Sequence, residues 1–196
     1  LQTMELLQSE WFTQQALTPE LSFYQCHACH HPMDKLRWQP EGGGAPGTLR
    51  LNDASLVVLQ SVLQILSHKL AGELESEINQ LHTESKRDRA LVVVQAAKLH
   101  KLLSSLKETL VNQTYTNEQI KSLRMGLVKR AADGRFRHFT TAEQVFQAIE
   151  TLNIALDDEG RLKSPMDEWF NHGLDDENDF VPLQFKIFAN KLMGDL

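Results

Sequence analysis

Residues 53–81 read DASLVVLQSVLQILSHKLAGELESEINQL and carry one continuous apolar stripe. A leucine or isoleucine recurs every three or four residues along it, at Leu56, Leu59, Leu63, Leu66, Leu70, Leu74, Ile78 and Leu81. This spacing predicts a long amphipathic helix with a single buried face. Asp53 is a suitable N-cap, and Gly72 weakens the helix interior without ending it.

A second apolar stripe follows the short polar segment HTESKRD at residues 82–88. Its members also recur at helical spacing: Val92, Ala96, Leu99, Leu103, Leu106 and Leu110. Two long stripes joined by a short polar turn predict an antiparallel helical hairpin. We therefore expect a mainly α fold, with this hairpin at its centre and shorter helices packed on it.

The shorter helices are indicated by their start signals. Residues 116–119 (TNEQ) and 140–143 (TTAE) have the spacing of a capping box. Ser164 followed by Pro165 is typical of an N-cap and first helical residue, and a last helix is expected from about Pro182. The alternating segment RFRHF at residues 135–139 suggests a short strand.

The first 52 residues differ in character from the rest. Residues 1–16 predict a short amphipathic helix that carries Met4, Leu7, Trp11 and Phe12. The segments KLRW and TLRL, joined by the loop QPEGGGAPG, suggest a two-stranded ribbon. We therefore predict two parts, an N-terminal appendage at 1–52 and a helical domain at 53–196.

Composition excludes several classes of protein. Hydrophobic residues make up 41% of the chain and charged residues 23%, which is typical of a globular protein. The net charge of −6 does not favour a general nucleic-acid binder. Apolar runs are too short for a membrane span. Both cysteines lie three residues apart, which rules out a disulfide framework and favours a reducing compartment, the cytoplasm.

Both cysteines fall in the segment CHACHHP, beside three of the eight histidines. Cys26 and Cys29 have the C-x-x-C spacing of a zinc knuckle, in which two thiolates face one ion. The sequence predicts a zinc site formed by Cys26 and Cys29 with His30 or His31. A more distant ligand remains open, among His68, His82 and His100.

Three other interpretations of this segment stay open. Cys26 to His30 is a literal C-x-x-C-H, the attachment motif of a covalently bound c-type haem. A C-x-x-C pair also serves in dithiol redox chemistry, although no β-α-β pattern precedes it here. Finally, the side chains could lie together without binding anything.

Residues 121–138 are the only basic segment, with six basic residues against one acid and a formal charge of +5. Residues 142–196 carry −8. Such runs are usually solvated or neutralised within one fold. The alternative is an anion or nucleic-acid contact through Lys129, Arg130, Arg135 and Arg137, in a nucleic-acid-associated protein that uses both this segment and the zinc knuckle. In that case Phe136 or Phe139 would stack on a base.

No catalytic motif is recognisable. The chain lacks G-x-S-x-G, H-E-x-x-H and a phosphate-binding loop. Catalytic groups that lie far apart in sequence would leave no such trace. The sequence therefore favours a non-enzymatic regulatory or interaction protein that binds a protein partner, or a second copy of itself, through the long hairpin.

Overall fold

The computed structural model describes residues 1–13, 23–24 and 50–196. Its helices are α1 (Gln2–Leu7), α2 (Glu10–Thr13), α3 (Ala54–Leu66), α4 (His68–Ser85), α5 (Arg89–Val111), α6 (Asn117–Ala132), α7 (Phe139–Ala155), α8 (Glu159–Gly173) and α9 (Pro182–Asp195), with a 3₁₀ turn at Glu177–Asp179. Within the described residues no strand forms, so the predicted mainly α class is confirmed.

The antiparallel hairpin is formed by α4 and α5. Gln95 on α5 donates from its side chain to the carbonyl of Glu77 on α4, at 3.1 Å. Asp88 caps α5 by accepting from the Ala90 backbone N–H. The apolar stripe is buried as its spacing predicted, at Leu74, Ile78, Leu81, Val92, Ala96, Leu99, Leu103 and Leu106.

The first arm of the hairpin is not one helix, contrary to the prediction. Ser67 separates α3 from α4. Serine competes for backbone hydrogen bonds and is a weak helix former, which fits a break there. Leu66 and Leu70, the stripe residues on either side of the break, are only partly buried. The spacing of the stripe indicates which face is buried and not whether the helix is continuous.

The described chain folds as two compact units. The first comprises Leu1–Asp53 and Gly72–Gln113, and the second comprises Ala54–Ala71 and Thr114–Leu196. The division therefore falls inside α4. The predicted boundary between residues 52 and 53 stays a prediction, because most of residues 1–52 lie outside the described part.

In the first unit, α1 packs against α5. Met4, Leu7 and Phe12 are buried as predicted, whereas Trp11 is 51% exposed. The predicted helix over residues 1–16 is interrupted, since α1 ends at Leu7 and α2 begins at Glu10.

In the second unit, α6 packs against α7 and α9, α8 packs against α9, and α3 packs against both α6 and α7. Trp169 is fully buried at its centre. Its ring lies 5.5 Å from Phe146 and 4.8 Å from Phe185, in tilted and edge arrangements that aromatic rings favour.

In this unit one predicted capping box forms, whereas two other predicted helix starts and the predicted strand are wrong. The capping box at Thr116 and Gln119 forms as expected. The second box does not form, since α7 begins at Phe139 after His138, without a side-chain cap. The RFRHF segment is a loop that buries Phe136.

The helix predicted to begin at Ser164 starts earlier, at Glu159. Pro165 lies inside α8, where it removes one backbone hydrogen bond. The extra turn buries Leu162, which is 1% exposed in the core of the second unit. Burial of this leucine offsets part of the cost of the internal proline.

Candidate functional site

The predicted metal ligands Cys26, Cys29, His30 and His31 lie outside the described residues. The zinc site, the haem attachment and the redox pair therefore remain predictions. The predicted strand KLRW also lies outside the described part. What the structure describes are the residues on either side of the Cys/His segment, Phe23 and Tyr24 before it and Arg50 to Asp53 after it.

These two flanks lie side by side. Tyr24 and Leu51 form an isolated antiparallel bridge. The Asn52 backbone N–H donates to the Phe23 carbonyl at 2.8 Å. Phe23 and Leu51 are both buried, so the paired flanks belong to the core of the first unit.

Aromatic contacts hold the first flank in place. The Phe23 ring lies 5.2 Å from Phe12 and 5.7 Å from Trp11. The guanidinium of Arg89, the first residue of α5, lies over the Phe12 ring at 5.6 Å. These contacts tie the N-terminal flank to α2 and α5.

A polar cluster holds the second flank. Asp53 is 2% exposed, and its Oδ2 accepts from Arg50 Nη2 and from His82 Nε2, each at 2.8 Å. Burial raises the pKa of Asp53, but the hydrogen bond from His82 and the charge of Arg50 outweigh this effect and leave the pKa below its usual value. Because an ionised carboxylate only accepts, His82 Nε2 carries the proton in this bond.

We call these three residues the Asp53 clamp. Asp53 was predicted only as an N-cap, and His82 only as a distant metal ligand. The clamp joins the residues that follow the Cys/His segment, Arg50 and Asp53, to His82 on α4. No local sequence signal indicates the bond between Asp53 and His82, because these two residues lie 29 positions apart.

The other two distant histidines have separate partners. His68 Nδ1 lies 2.9 Å from Gln64 Oε1 in the second unit. His100 Nε2 lies 3.2 Å from Glu5 Oε1 in the first unit. Across residues 1–13, 23–24 and 50–196, no group of three or more His, Cys, Asp or Glu side chains is placed to hold a metal ion.

The basic segment is divided between the interior and the surface. Arg130 is partly buried and donates to Gln60 Oε1 at 3.2 Å. Arg137 is exposed and donates from Nε to the Gly134 carbonyl at 3.4 Å. Lys129 and Arg135 are exposed. The four residues predicted as one anion contact therefore do not form a uniform surface.

Arg124, which contributed to the predicted +5, is a buried structural residue. Its Nη1 donates to Asp158 Oδ2 at 2.7 Å and to Asn153 Oδ1 at 3.1 Å. Arg161 also binds Asp158, at 3.1 Å. The hydrogen bonds from Arg161 and Arg124 lower the pKa of the Asp158 carboxyl to about 2. This pairing neutralises basic and acidic segments within one fold, as the simpler interpretation expected.

The aromatic residues predicted to stack on a base do not favour that role. Phe136 is 1% exposed and belongs to the core of the second unit. Phe139 is half-buried and contacts the Phe180 ring edge-on at 5.7 Å. Stacking needs an accessible ring face, which Phe136 does not offer.

Among the described residues, no helix is both long and apolar enough to cross a membrane. Comparisons with protein-family models, with curated proteins and with solved structures found no match to this chain.

Proposed function

We propose that this chain is a non-enzymatic regulatory protein of the cytoplasm that acts by binding another protein. We further propose that a structural zinc ion, held by Cys26, Cys29 and His30 or His31, stabilises its N-terminal segment. The observation that carries the proposal is the pairing of the two flanks of the Cys/His segment on the first helical unit.

The pairing of the two flanks holds both ends of the Cys/His segment on the first helical unit. Tyr24 and Leu51 are bridged, and the Asp53 clamp holds the chain two residues further on. The intervening residues are too few to bury a core of their own. Zinc binding to such a segment contributes folding free energy directly, and two thiolates at C-x-x-C spacing are suitable ligands.

The α4–α5 hairpin supports the protein-binding part of the proposal. Several apolar side chains of α5 are exposed, including Leu91, Val94 and Val111. Exposed apolar residues on a helix are available to a protein partner or to a second copy of the chain.

The experiment compares the full chain with its Cys26→Ala and Cys29→Ala variants. We expect the wild type to retain zinc and both variants to lose it. Protease cleavage within residues 25–49 should then increase, while the helical circular dichroism signal stays. His172→Ala is the control, because it removes an exposed histidine that was not predicted as a ligand and should leave the zinc content unchanged.

A wild-type protein without zinc, or a Cys26→Ala variant with an unchanged proteolysis pattern, would contradict the structural-zinc proposal. Sedimentation over a range of concentrations tests the partner. Reversible dimerisation that is weakened by Val94→Ser would identify a second copy on the hairpin. A monomer at high concentration would leave a different protein as the partner.

A further inference from the structure

The two arms of the α4–α5 hairpin carry opposite charges. Residues 73–81 of α4 contain three acids and no base. Residues 89–107 of α5 contain one arginine and three lysines and no acid. The basic residues of α5 are spaced too widely to stand out as a run in the sequence, so the hairpin is needed to show that they border an acidic helix.

Hydrogen bonds place the two charged stripes side by side. The buried Gln95 on α5 donates from Nε2 to the Glu77 carbonyl and to the Glu77 carboxylate. Glu73 lies one turn from Glu77 on α4, and Lys98 lies one turn from Gln95 on α5. The carboxylate of Glu73 and the ammonium of Lys98 therefore belong to the same side of the hairpin, next to the bonds of Gln95.

This side of α5 also exposes apolar groups. Leu91 is 37% exposed and Val94 is 56% exposed. Leu91, Val94, Lys98 and Lys101 follow one another at spacings of three and four residues, so they share one face of the helix. Both lysines are exposed, and so is Glu73 on α4. We call the following residues the hairpin face: Glu73, Glu77, Leu91, Val94, Lys98 and Lys101.

Packing within the hairpin accounts for only part of the hairpin face. The bonds from Gln95 explain the position of Glu77. Lys98 and Lys101 lie well before the C-terminus of α5, where the helix dipole would favour a cation. Isolated exposed aliphatic residues are ordinary, whereas an aliphatic pair bordered by charges has the composition of an interface, with an apolar centre and a polar rim.

The two signs of charge decide between possible occupants. An acidic helix would be attracted by Lys98 and Lys101 but repelled by Glu73 and Glu77, and a basic helix would meet the reverse. The same two carboxylates would repel a nucleic acid or an anionic membrane. The hairpin face is matched by a surface that places bases opposite its acids and acids opposite its bases.

The same face of a second copy has this order of charges by symmetry. A two-fold axis parallel to the helices places each α4 opposite the α5 of the other copy and keeps every residue at its own level along the helix. Each α4 then lies antiparallel to the α5 across the axis, as neighbouring helices do in up-and-down four-helix bundles.

We propose that the hairpin face binds the hairpin face of a second copy of this chain around such an axis. Glu73 of each copy would face Lys98 and Lys101 of the other, and Leu91 and Val94 would form the apolar centre. This inference rests on the proposed function, in which the hairpin is the binding surface, and it names the partner as a second copy.

Sedimentation equilibrium over a range of concentrations measures the association, and circular dichroism confirms that each variant is folded. Because the apolar centre is small, we expect a reversible wild-type dimer with a dissociation constant of roughly 1–100 μM. Glu73→Lys brings a lysine opposite Lys98 and Lys101, and Lys98→Glu/Lys101→Glu brings glutamates opposite Glu73. Each variant alone should dimerise more weakly by roughly tenfold or more.

Mixing these two variants tests the pairing itself. In a mixed dimer the introduced lysine faces the introduced glutamates, and the other contact keeps its wild-type charges. The mixture should therefore regain the wild-type affinity to within about threefold. A loss of affinity caused by misfolding of either variant would not be reversed in this way.

Glu75→Lys and Lys107→Glu are the matched controls for charge. Both residues are exposed. Glu75 is two residues from Glu73 and Glu77, and Lys107 is nine residues from Lys98, so each lies on a different side of its helix from the hairpin face. Neither control should change the dissociation constant by more than about twofold.

A wild-type chain that stays monomeric up to about 1 mM would overturn the inference. So would a mixture that associates no more tightly than its separate variants, or controls that weaken the dimer as much as the charge reversals do. A monomeric wild type would still leave the hairpin to a different protein, so it would not contradict the proposed function. The zinc content of Cys26→Ala tests the other part of that function separately.

Discussion

Replacing Arg124 with methionine should destabilise the second unit, because this arginine is a buried structural residue and not a ligand-binding one. Methionine keeps most of the apolar stem of the side chain but removes its charge and its hydrogen-bond donors. The side chain of Arg124 is 6% exposed and binds both Asn153 and Asp158.

The size of the destabilisation follows from the hydrogen bonds that Asn153 and Asp158 lose in Arg124→Met. Asn153 is 2% exposed, and the loss of the Arg124 donor at its Oδ1 costs about 1–3 kcal/mol. Asp158 keeps its bonds to Arg161, so its charge stays paired and the penalty of leaving a buried charge without a partner does not apply. We therefore expect a loss of about 2–3 kcal/mol, at the upper end of the single-bond range.

Urea denaturation and thermal unfolding measure this loss. For a chain of this size it corresponds to a fall in Tm of about 4–12 °C. Lys129→Met is the matched control on the same helix, since Lys129 is exposed and its replacement should change stability by less than about 0.5 kcal/mol. If Arg124→Met proved as stable as Lys129→Met, the structural assignment of Arg124 would be wrong.

Three further predictions concern acid, a turn and the core. Because the pKa of Asp158 is lowered from 3.8 to about 2, its ion pairs stabilise the fold above pH 3.8, and this stability should disappear as the pH falls towards 2. The lowered pKa of Asp53 acts in the same direction. Tryptophan fluorescence should therefore show unfolding as the pH falls, and stability should depend less steeply on pH in Asp158→Asn. Gly134 has φ 72°, in the left-handed region that glycine and, less readily, asparagine adopt. Gly134→Ala should therefore lower the free energy of unfolding, measured by urea denaturation, by about 1–2 kcal/mol, and Gly134→Asn should lower it clearly less. Equal losses in the two variants would exclude a conformational cause. Trp169→Ala should cost about 3–5 kcal/mol and raise amide hydrogen exchange in α7 to α9 first, whereas uniform exchange across both units would contradict a local effect.

Helical faces were predictable because burial repeats with the helix. Leu74, Ile78, Leu99 and Leu103 are buried as their spacing required. That spacing carries no information on where a helix is interrupted, so Ser67 was not recognised as a break. The start of α8 was missed for a related reason, since burial of Leu162 outweighs the local signal from Ser164 and Pro165.

Charged side chains were less predictable than apolar ones. Arg124 pairs with a residue 34 positions away, and Arg130 pairs with one 70 positions away. Such partners leave no local pattern, so the sequence predicted that the basic segment is solvated or neutralised within the fold but identified neither partner. The Asp53 clamp escaped recognition in the same way, although both of its principal residues were noted for other roles.

The metal site depends on residues outside the described part, so its prediction stands on the C-x-x-C spacing and on the paired flanks. The mass of the purified full chain, first under native and then under denaturing conditions, tests it most directly. Our account predicts added zinc under native conditions that is lost on denaturation, and that is absent from Cys26→Ala throughout. A bare polypeptide in both states would contradict the zinc site, and an added mass of haem that survives denaturation would replace it with a covalent haem.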